Sequence, residues 1–552
     1  MQERARRWHD AWPTDVPRHF DVEQDISALL RRTAQAHGEH PALSFYGNDY
    51  TYSFIDRQID RFANALLGLG LAKGDRVGLF LQNSPQFVIG YFGVLRAGGV
   101  VVCLNPMFKQ AELDYEINDA GCRMLLASDS LYGEVCKLGE RVDLERVIVT
   151  WLGEYCSTRP DYDLPKEVTE KRPPWPDVLD FQSLLAEASP EPPRVELDLH
   201  QDLALLQYTG GTTGLPKGAM ITHHALAYVS VAINQWFANT KEDVYLGAAP
   251  FFHIMGMLAM MCAPLLSGGK LVVLSRFVPE QVARTISEQK VTGWVGATTM
   301  LVALLGLPDL DRYDFTSLRF ICTGGAPVGV ELQQRIQELA PDAMLMEGYG
   351  LTESISHGGV VTPRGGYRPG FAGVPHTNDM KIVDLSDRTR ELGPGEAGEI
   401  AIKGPATFIG YWQRPQETDS VIAEGWVYTG DVGMMDERGY LKLLGRQKEL
   451  IKCSGFSVFP AEVENLLYRH PAVAEVAVIG VPDEYRGESV KAFVILKPEY
   501  VGQVSEPEIL DWCRENLSAY KRPREMVFCQ ELPKSGAGKI LRRVLKEREE
   551  SA

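Results

Sequence analysis

Apolar residues in this chain come in short unbroken runs separated by longer helix-like stretches. Arg76-Val77-Gly78-Leu79-Phe80-Leu81 predicts a strand buried on both faces. Pro85 to Leu95 predicts a helix closed by Ala97-Gly98-Gly99, and Val100-Val101-Val102-Cys103-Leu104 predicts the next strand. Leu203-Ala204-Leu205-Leu206, Lys270 to Leu274 and Leu318 to Cys322 repeat the strand signal. Such alternation predicts an α/β fold of doubly wound, mostly parallel sheets. Tyr155 to Pro193 is rich in Pro, Asp and Glu and lacks a period, so it reads as an exposed connection.

The pattern changes from Glu399. Glu399 to Ile402, Trp426 to Tyr428 and Tyr440 to Leu443 are short strands with turns between them, a β-rich region. After Arg446-Gln447-Lys448-Glu449 comes a helix at Pro460 to Tyr468. Strands at Val473 to Ile479 and Val490 to Leu496 follow, then a helix at Glu506 to Leu517. The organisation expected is a large N-terminal domain over residues 1–447, including a β-rich subdomain over about 367–447. A small α+β domain follows over 448–552, with the boundary at Lys448. A chain of 552 residues is too long for one compact core, which agrees with this division.

A net charge of -17 argues against general nucleic-acid binding and against attraction to an anionic membrane. The nine cysteines are scattered without a C-x-x-C pair, as in a reducing compartment. The N-terminus has no apolar core after its arginines, so it does not read as a signal peptide. The longest apolar run, Phe251 to Leu266, carries His253 and Pro264 and falls short of the roughly 18 residues a membrane span needs. The expectation is a cytoplasmic protein without a transmembrane segment. Peripheral membrane contact and a homodimer are both compatible with it.

The most concentrated chemistry follows the strand at Leu203. Tyr208-Thr-Gly-Gly-Thr-Thr-Gly-Leu-Pro-Lys-Gly218 combines glycines, hydroxyls and one lysine. Glycine lets backbone amides approach a ligand closely, so the loop suits a polyphosphate. It is not a Walker loop, because Lys217 is followed by Gly218-Ala219 where that motif needs Ser or Thr. Thr209, Gly210, Gly211, Thr212, Thr213, Gly214 and Lys217 are therefore candidate phosphate contacts. No G-x-S-x-G elbow is present, which excludes the commonest esterase design.

Together with this loop, six further segments occur in a recognisable order. They are Pro250-Phe-Phe-His253, Gly324-Gly-Ala-Pro327, Gly348-Tyr-Gly-Leu-Thr-Glu353, Tyr428-Thr-Gly-Asp431, Gly445-Arg446 through Gly455, and Pro533 to Arg542. In these the chain resembles the adenylate-forming superfamily of acyl-CoA synthetases, aryl-CoA ligases, luciferases and peptide-synthetase adenylation domains. The pattern is most similar to bacterial medium- and long-chain fatty acyl-CoA synthetases. The resemblance implies a carboxylic acid activated by ATP to an acyl-adenylate with loss of pyrophosphate. The acyl group then passes to coenzyme A with release of AMP. An aryl-acid ligase of the same superfamily, and from another class an inactive nucleotide-binding scaffold, are the alternatives.

The resemblance also implies roles. Gly324, Gly325, Ala326 and Pro327 would leave a slot for a purine, and Tyr349, between Gly348 and Gly350, would stack on adenine. Thr352 is both a catalytic and a nucleotide-binding candidate, and Glu353 would bridge to magnesium beside the phosphates. Asp431 would accept the ribose hydroxyls, and Arg446 would reach ribose or α-phosphate. Lys539 would stabilise charge developing on the attacked phosphate. His253 would orient the carboxylate or adenylate.

Lys448 matches a hinge about which the C-terminal domain rotates between the half-reactions. Lys452 and Gly455 would then line the pantetheine tunnel, and Lys521 would contact coenzyme A phosphates. Arg542 and Arg543 read as solvated. Phe252 to Met261, Gly293 to Met300 and Ser354 to Gly359 are candidate walls of the acyl pocket, Met255, Met257, Met260 and Met261 suiting an alkyl chain.

Overall fold

The computed structural model describes residues 6–158, 160–172, 174–209, 215–324, 330–356, 359–453, 456–483, 485–534 and 540–550. Four sheets organise it. The first runs in the order Leu179–Asp180, Arg146–Thr150, Cys122–Ser128, Arg76–Phe80, Val100–Cys103, Leu203–Thr209 and Lys217–Thr222. All neighbours are parallel except the last pair. The second has a parallel centre of Met344–Tyr349, Phe320–Gly324, Gly293–Ala297, Val244–Gly247, Lys270–Val273 and Pro41–Phe45, with antiparallel strands at its margins. Continuous Val and Leu runs are what a parallel strand covered on both faces requires. The alternation expected from the sequence is therefore an α/β fold in the structure.

Helix Pro85–Arg96 shows how the covering is built. Ser84 caps it by accepting from Phe87 N, Pro85 sits at its first turn, and every residue is buried. Its one charge, Arg96, is paired with Asp60 at 3.0 Å and Asp56 at 2.7 Å, as a buried cation must be. The expected strand at Leu318 is displaced to Phe320–Gly324, because the ladder with Met344–Tyr349 extends to Gly324 opposite Gly348. Tyr155 to Pro193 corrects the sequence reading more strongly. It holds helices Lys166–Thr169 and Phe181–Glu187, the latter capped by Asp180. Val168, Phe181 and Leu185 are buried in the main core. With Tyr155 and Cys156 these make five buried apolar residues, too unevenly spaced along the segment to give one period to read.

The third sheet is antiparallel, built from Asp379–Val383, Gly398–Lys403, Trp426–Met435, Ile422–Ala423 and Leu441–Arg446. The fourth contains Ile451–Cys453, Phe456–Val458, Val473–Asp483, Gly487–Leu496 and Glu525–Phe528, and packs against helices Pro460–Leu467 and Glu506–Asn516. A single turn, Gln447–Glu449, joins these two sheets. Among the described residues no helix is long and apolar enough to cross a membrane.

Candidate active site

Several of the motif segments leave the carboxyl ends of parallel strands, the usual place for a ligand in an open α/β sheet. Thr209 ends one strand and Lys217 starts its antiparallel neighbour, the two residues facing each other across the ladder. The root of the intervening loop is tied from outside. Tyr115 Oη donates to Pro216 O at 2.7 Å, and Tyr208 Oη donates to Asp119 Oδ2 at 2.7 Å. Asp119 Oδ1 accepts from Arg414 Nη2 at 2.7 Å, and its carbonyl accepts from Trp412 Nε1 at 3.1 Å. Burial, and then the Asp119 charge, push the Tyr208 hydroxyl well above its ordinary range, so it remains a donor.

Segment 408–412 lies along the strand that begins at Lys217. Met220 N donates to Gly410 O at 2.9 Å, Ile409 N to Met220 O at 3.0 Å, and Trp412 N to Gly218 O at 2.8 Å. This registry sets the Tyr411 ring 4.9 Å from Lys217 Nζ. The Tyr411 hydroxyl donates to Glu353 Oε1 at 2.6 Å, and Glu353 O accepts from Phe408 N at 2.9 Å. Lysine, tyrosine and glutamate thus form one line between strands remote in sequence.

Glu353 is aimed by a strained turn. Thr352 opens the turn Thr352–Ser354, and Ser354 Oγ accepts from Leu351 N at 3.0 Å. Ile355 and Ser356 follow with φ of 52° and 59°, values a β-branched residue rarely adopts. Each costs on the order of 1–3 kcal/mol and needs surrounding structure to hold it. Gly350 allows the fold-back, because a Cβ there would lie 1.5 Å from Ser356 O. Gly324 and Gly348 sit side by side at the ends of their strands.

Asp431 and Arg446 are direct cross-strand partners, with Arg446 Nε 3.1 Å from Asp431 Oδ1. Tyr349 Oη donates to Asp431 Oδ2 at 2.8 Å. The Tyr349 ring is 8 % exposed and packs with Val360, Ile400, Ile402 and Leu441, so only its margin is open to an adenine. Burial works against the Arg446 charge, but Asp431, Glu449, Tyr349 and Glu353 outweigh it and hold the guanidinium above its ordinary range. The structure therefore joins Tyr349, Asp431 and Arg446 through one hydrogen bond and one ion pair, with Glu353 within the field of Arg446.

His253 caps the short helix Ile254–Met257, its Nδ1 accepting from Met255 N at 3.3 Å. The preceding loop is pinned by Asn83, which accepts from Phe251 N at 2.8 Å and donates to Ala249 O at 2.9 Å. Of the four methionines, Met257, Met260 and Met261 are packed inside the core and Met255 is half-buried. Met255 Sδ lies 4.0 Å from where a Cβ on Gly324 would be, which places it beside the end of strand Phe320–Gly324.

In the C-terminal part, Lys448 lies in the joining turn and Lys452 is exposed on strand Ile451–Cys453. Lys521 forms an ion pair with Glu462, so its charge is already engaged. Arg542 corrects the reading of a solvated residue. It donates to Glu464 at 2.7 and 3.0 Å and to Glu449 at 2.9 Å. Burial opposes its charge, and the Glu464 and Glu449 carboxylates overcome that to hold it above its ordinary range. Gly210, Gly211, Thr212, Thr213, Gly214, Gly325, Ala326, Pro327, Gly455 and Lys539 lie outside the described residues.

Sequence reading missed Asp119, Tyr115 and Tyr411, because each acts across a long stretch of chain. The only local signal is Gly410-Tyr411-Trp412, where Gly410 has a φ of 138° that few other residues adopt.

Residues 30–412 match the family model of the AMP-binding enzyme, and residues 462–539 that of the AMP-binding enzyme C-terminal domain. The chain is 36 % identical to a long-chain-fatty-acid–CoA ligase of Bacillus subtilis, with 98 % of each chain covered. Its structure resembles an anthranilate–CoA ligase in complex with anthranoyl-AMP (TM-score 0.85, 27 % identity, 97 % and 98 % of the chains covered). It also resembles a fatty acyl CoA synthetase of Mycobacterium tuberculosis (TM-score 0.73, 26 % identity, 96 % and 98 % covered).

Proposed function

Because the chain belongs to the AMP-binding enzyme family, we propose that it converts a medium- or long-chain fatty acid, with ATP and coenzyme A, into the acyl-CoA thioester. It is an AMP-forming acyl-CoA synthetase. The observation that carries the fatty-acid reading is the match along 98 % of both chains to a long-chain-fatty-acid–CoA ligase. The anthranilate–CoA ligase among the similar structures favours an aryl acid as the second reading.

The site supplies what the two half-reactions need. Lys217 offers a fixed positive charge at the foot of the glycine loop, where the departing pyrophosphate would lie. Asp431, held by Tyr349 and Arg446, has acceptor capacity for ribose hydroxyls, and Arg446 carries charge toward the α-phosphate. Glu353 is a hard oxygen donor engaged by Tyr411 through Oε1, with its charge acting on Arg446, which suits a magnesium ion beside a polyphosphate. Magnesium would neutralise phosphate charge there. Lys539 is assigned the charge developing as the carboxylate attacks phosphorus. His253, fixed at its helix start, is assigned the acid's mouth. Residues 1–447 and 448–552 are assigned as two domains with Lys448 as the hinge, supported by the single turn that joins their sheets.

The test is product analysis with ATP, magnesium, coenzyme A and a panel of fatty, aryl and short-chain acids. AMP and pyrophosphate should form in equal amounts, fastest with fatty acids. Stoichiometric ADP would overturn the reaction class, and a preference for benzoate-like acids would select the second reading.

A further inference from the structure

Tyr411, which joins Lys217 to Glu353, has no role of its own in the reaction as described above. Its geometry is specific. One side chain touches a cation with its ring and an anion with its hydroxyl. The ring lies 4.9 Å from Lys217 Nζ, within the range of a cation–π contact. The hydroxyl reaches Glu353 Oε1 at 2.6 Å, the length of a charge-assisted bond. Tyr411 itself is fixed. It is bridged to Ala219 on the strand that begins at Lys217, and its ring is edge-on to Phe408 at 4.9 Å. Thr418 Oγ1 accepts from its backbone N at 2.9 Å.

Without such a device the two charges would compete for each other. Glu353 lies in the field of Arg446 on one side, and Lys217 lies beyond the tyrosine on the other. A carboxylate that collapses onto a lysine or an arginine offers neither partner to a nucleotide. A group that donates to one oxygen of a metal-binding carboxylate orients it and leaves the other oxygen available, the usual work of an outer-shell partner.

We propose that Tyr411 is a positioning residue for magnesium–nucleotide binding: its hydroxyl sets the Glu353 carboxylate for the metal while its ring holds Lys217 for the phosphates. This rests on the reading of the site as an ATP-dependent ligase. It makes two separable demands on one side chain. The hydroxyl governs the dependence on magnesium, and the ring governs affinity for the phosphate chain.

The experiment uses the full-length protein and calorimetric binding of α,β-methylene-ATP, which binds without reacting, at a series of magnesium concentrations. Tyr411→Phe keeps the ring and its packing against Phe408 and removes only the hydroxyl. It should raise the magnesium concentration at half-saturation about tenfold and leave the nucleotide Kd at saturating magnesium near the parent's. Tyr411→Leu removes the ring too, and should also weaken the nucleotide several-fold at saturating magnesium. Both variants should convert supplied acyl-adenylate and coenzyme A to thioester at the parent's rate.

Magnesium dependence in Tyr411→Phe equal to the parent's would overturn the proposal. So would a Kd raised by the same factor at every magnesium concentration, since that is the mark of a packing defect. A parent protein that binds no nucleotide with magnesium present would sink the ligase reading and this inference together. A parent that binds, beside an indifferent Tyr411→Phe, sinks only the inference.

Discussion

Glu116 offers a quantitative test of the electrostatics beside the strand pair Leu203–Thr209 and Lys217–Thr222. It lies on helix Gln110–Ala120, which supplies Tyr115 and Asp119 to the loop root, and it is 2 % exposed. Its Oε2 has no hydrogen-bond partner among the described residues. Burial, then the charges of Glu112 and Asp119 on the same helix face, push its carboxyl from about 4.5 up to about 8. The group is therefore protonated in the folded chain at pH 7 and ionised in the unfolded one. A folded pKa raised above the unfolded value means stability is complete below about 4.5 and is lost as pH rises through about 8.

Glu116→Gln replaces the carboxyl with a neutral group of the same shape and removes this dependence. At 1.36 kcal/mol per pH unit, the variant's gain over the parent should be under about 1 kcal/mol at pH 5. It should reach about 3 kcal/mol at pH 7 and about 4 kcal/mol at pH 8, and change little above that. Urea unfolding followed by tryptophan fluorescence at pH 5, 6, 7 and 8 measures the difference directly. A gain that is the same at all four pH values would show that Glu116 does not change ionisation on folding, and the account of its burial would fail.

Three further outcomes are expected. Asp119→Asn weakens the acceptor shared by Tyr208 and Arg414 and should raise the KM for ATP about tenfold, with conversion of supplied acyl-adenylate unchanged; equal losses in both half-reactions would point to misfolding instead. Lys539→Ala should slow adenylate formation by about 10²–10³-fold and spare thioester formation, while Gly455→Trp should do the reverse; a single-turnover assay of each half-reaction decides, and parallel losses would argue for a fixed site. Arg542→Met leaves Glu449 and Glu464 without their cation and should destabilise the C-terminal part by about 3–5 kcal/mol, visible as an earlier thermal transition; an unchanged midpoint would show the clamp to be idle.

What the sequence revealed follows from the range of the forces involved. Val100–Cys103, Lys270–Val273 and helix Pro85–Arg96 match their expected positions within a residue, because burial of a whole strand or helix writes a period or a run into neighbouring positions. Phe181 and Leu185 were not legible as core, since the helical spacing of Phe181, Leu184 and Leu185 lasts under two turns inside a segment otherwise rich in prolines and acids. The motif residues were legible as a set of types in order, not as a geometry. Tyr349 could be expected near a nucleotide, but its bond to Asp431 spans two sheets and has no local trace. Arg542 reads as a surface residue beside Arg543, and only folding brings Glu449 and Glu464 to it. Asp119 reaches Tyr208 and Arg414 in the same way, across chain lengths that no window of sequence covers.

The line Lys217–Tyr411–Glu353 and the pair Asp431–Arg446 also set a schedule for the chain's own synthesis. The strand that begins at Lys217 leaves the ribosome early, and Arg446 is made on the order of ten to fifty seconds later at ordinary elongation rates. For most of that interval the growing chain has Lys217 but neither Asp431 nor Arg446. If these residues hold ATP as proposed, ATP cannot serve as a template on which the first two sheets form. Its stabilising mass action arrives only when the third sheet closes, so the early sheets must hold by their apolar burial alone.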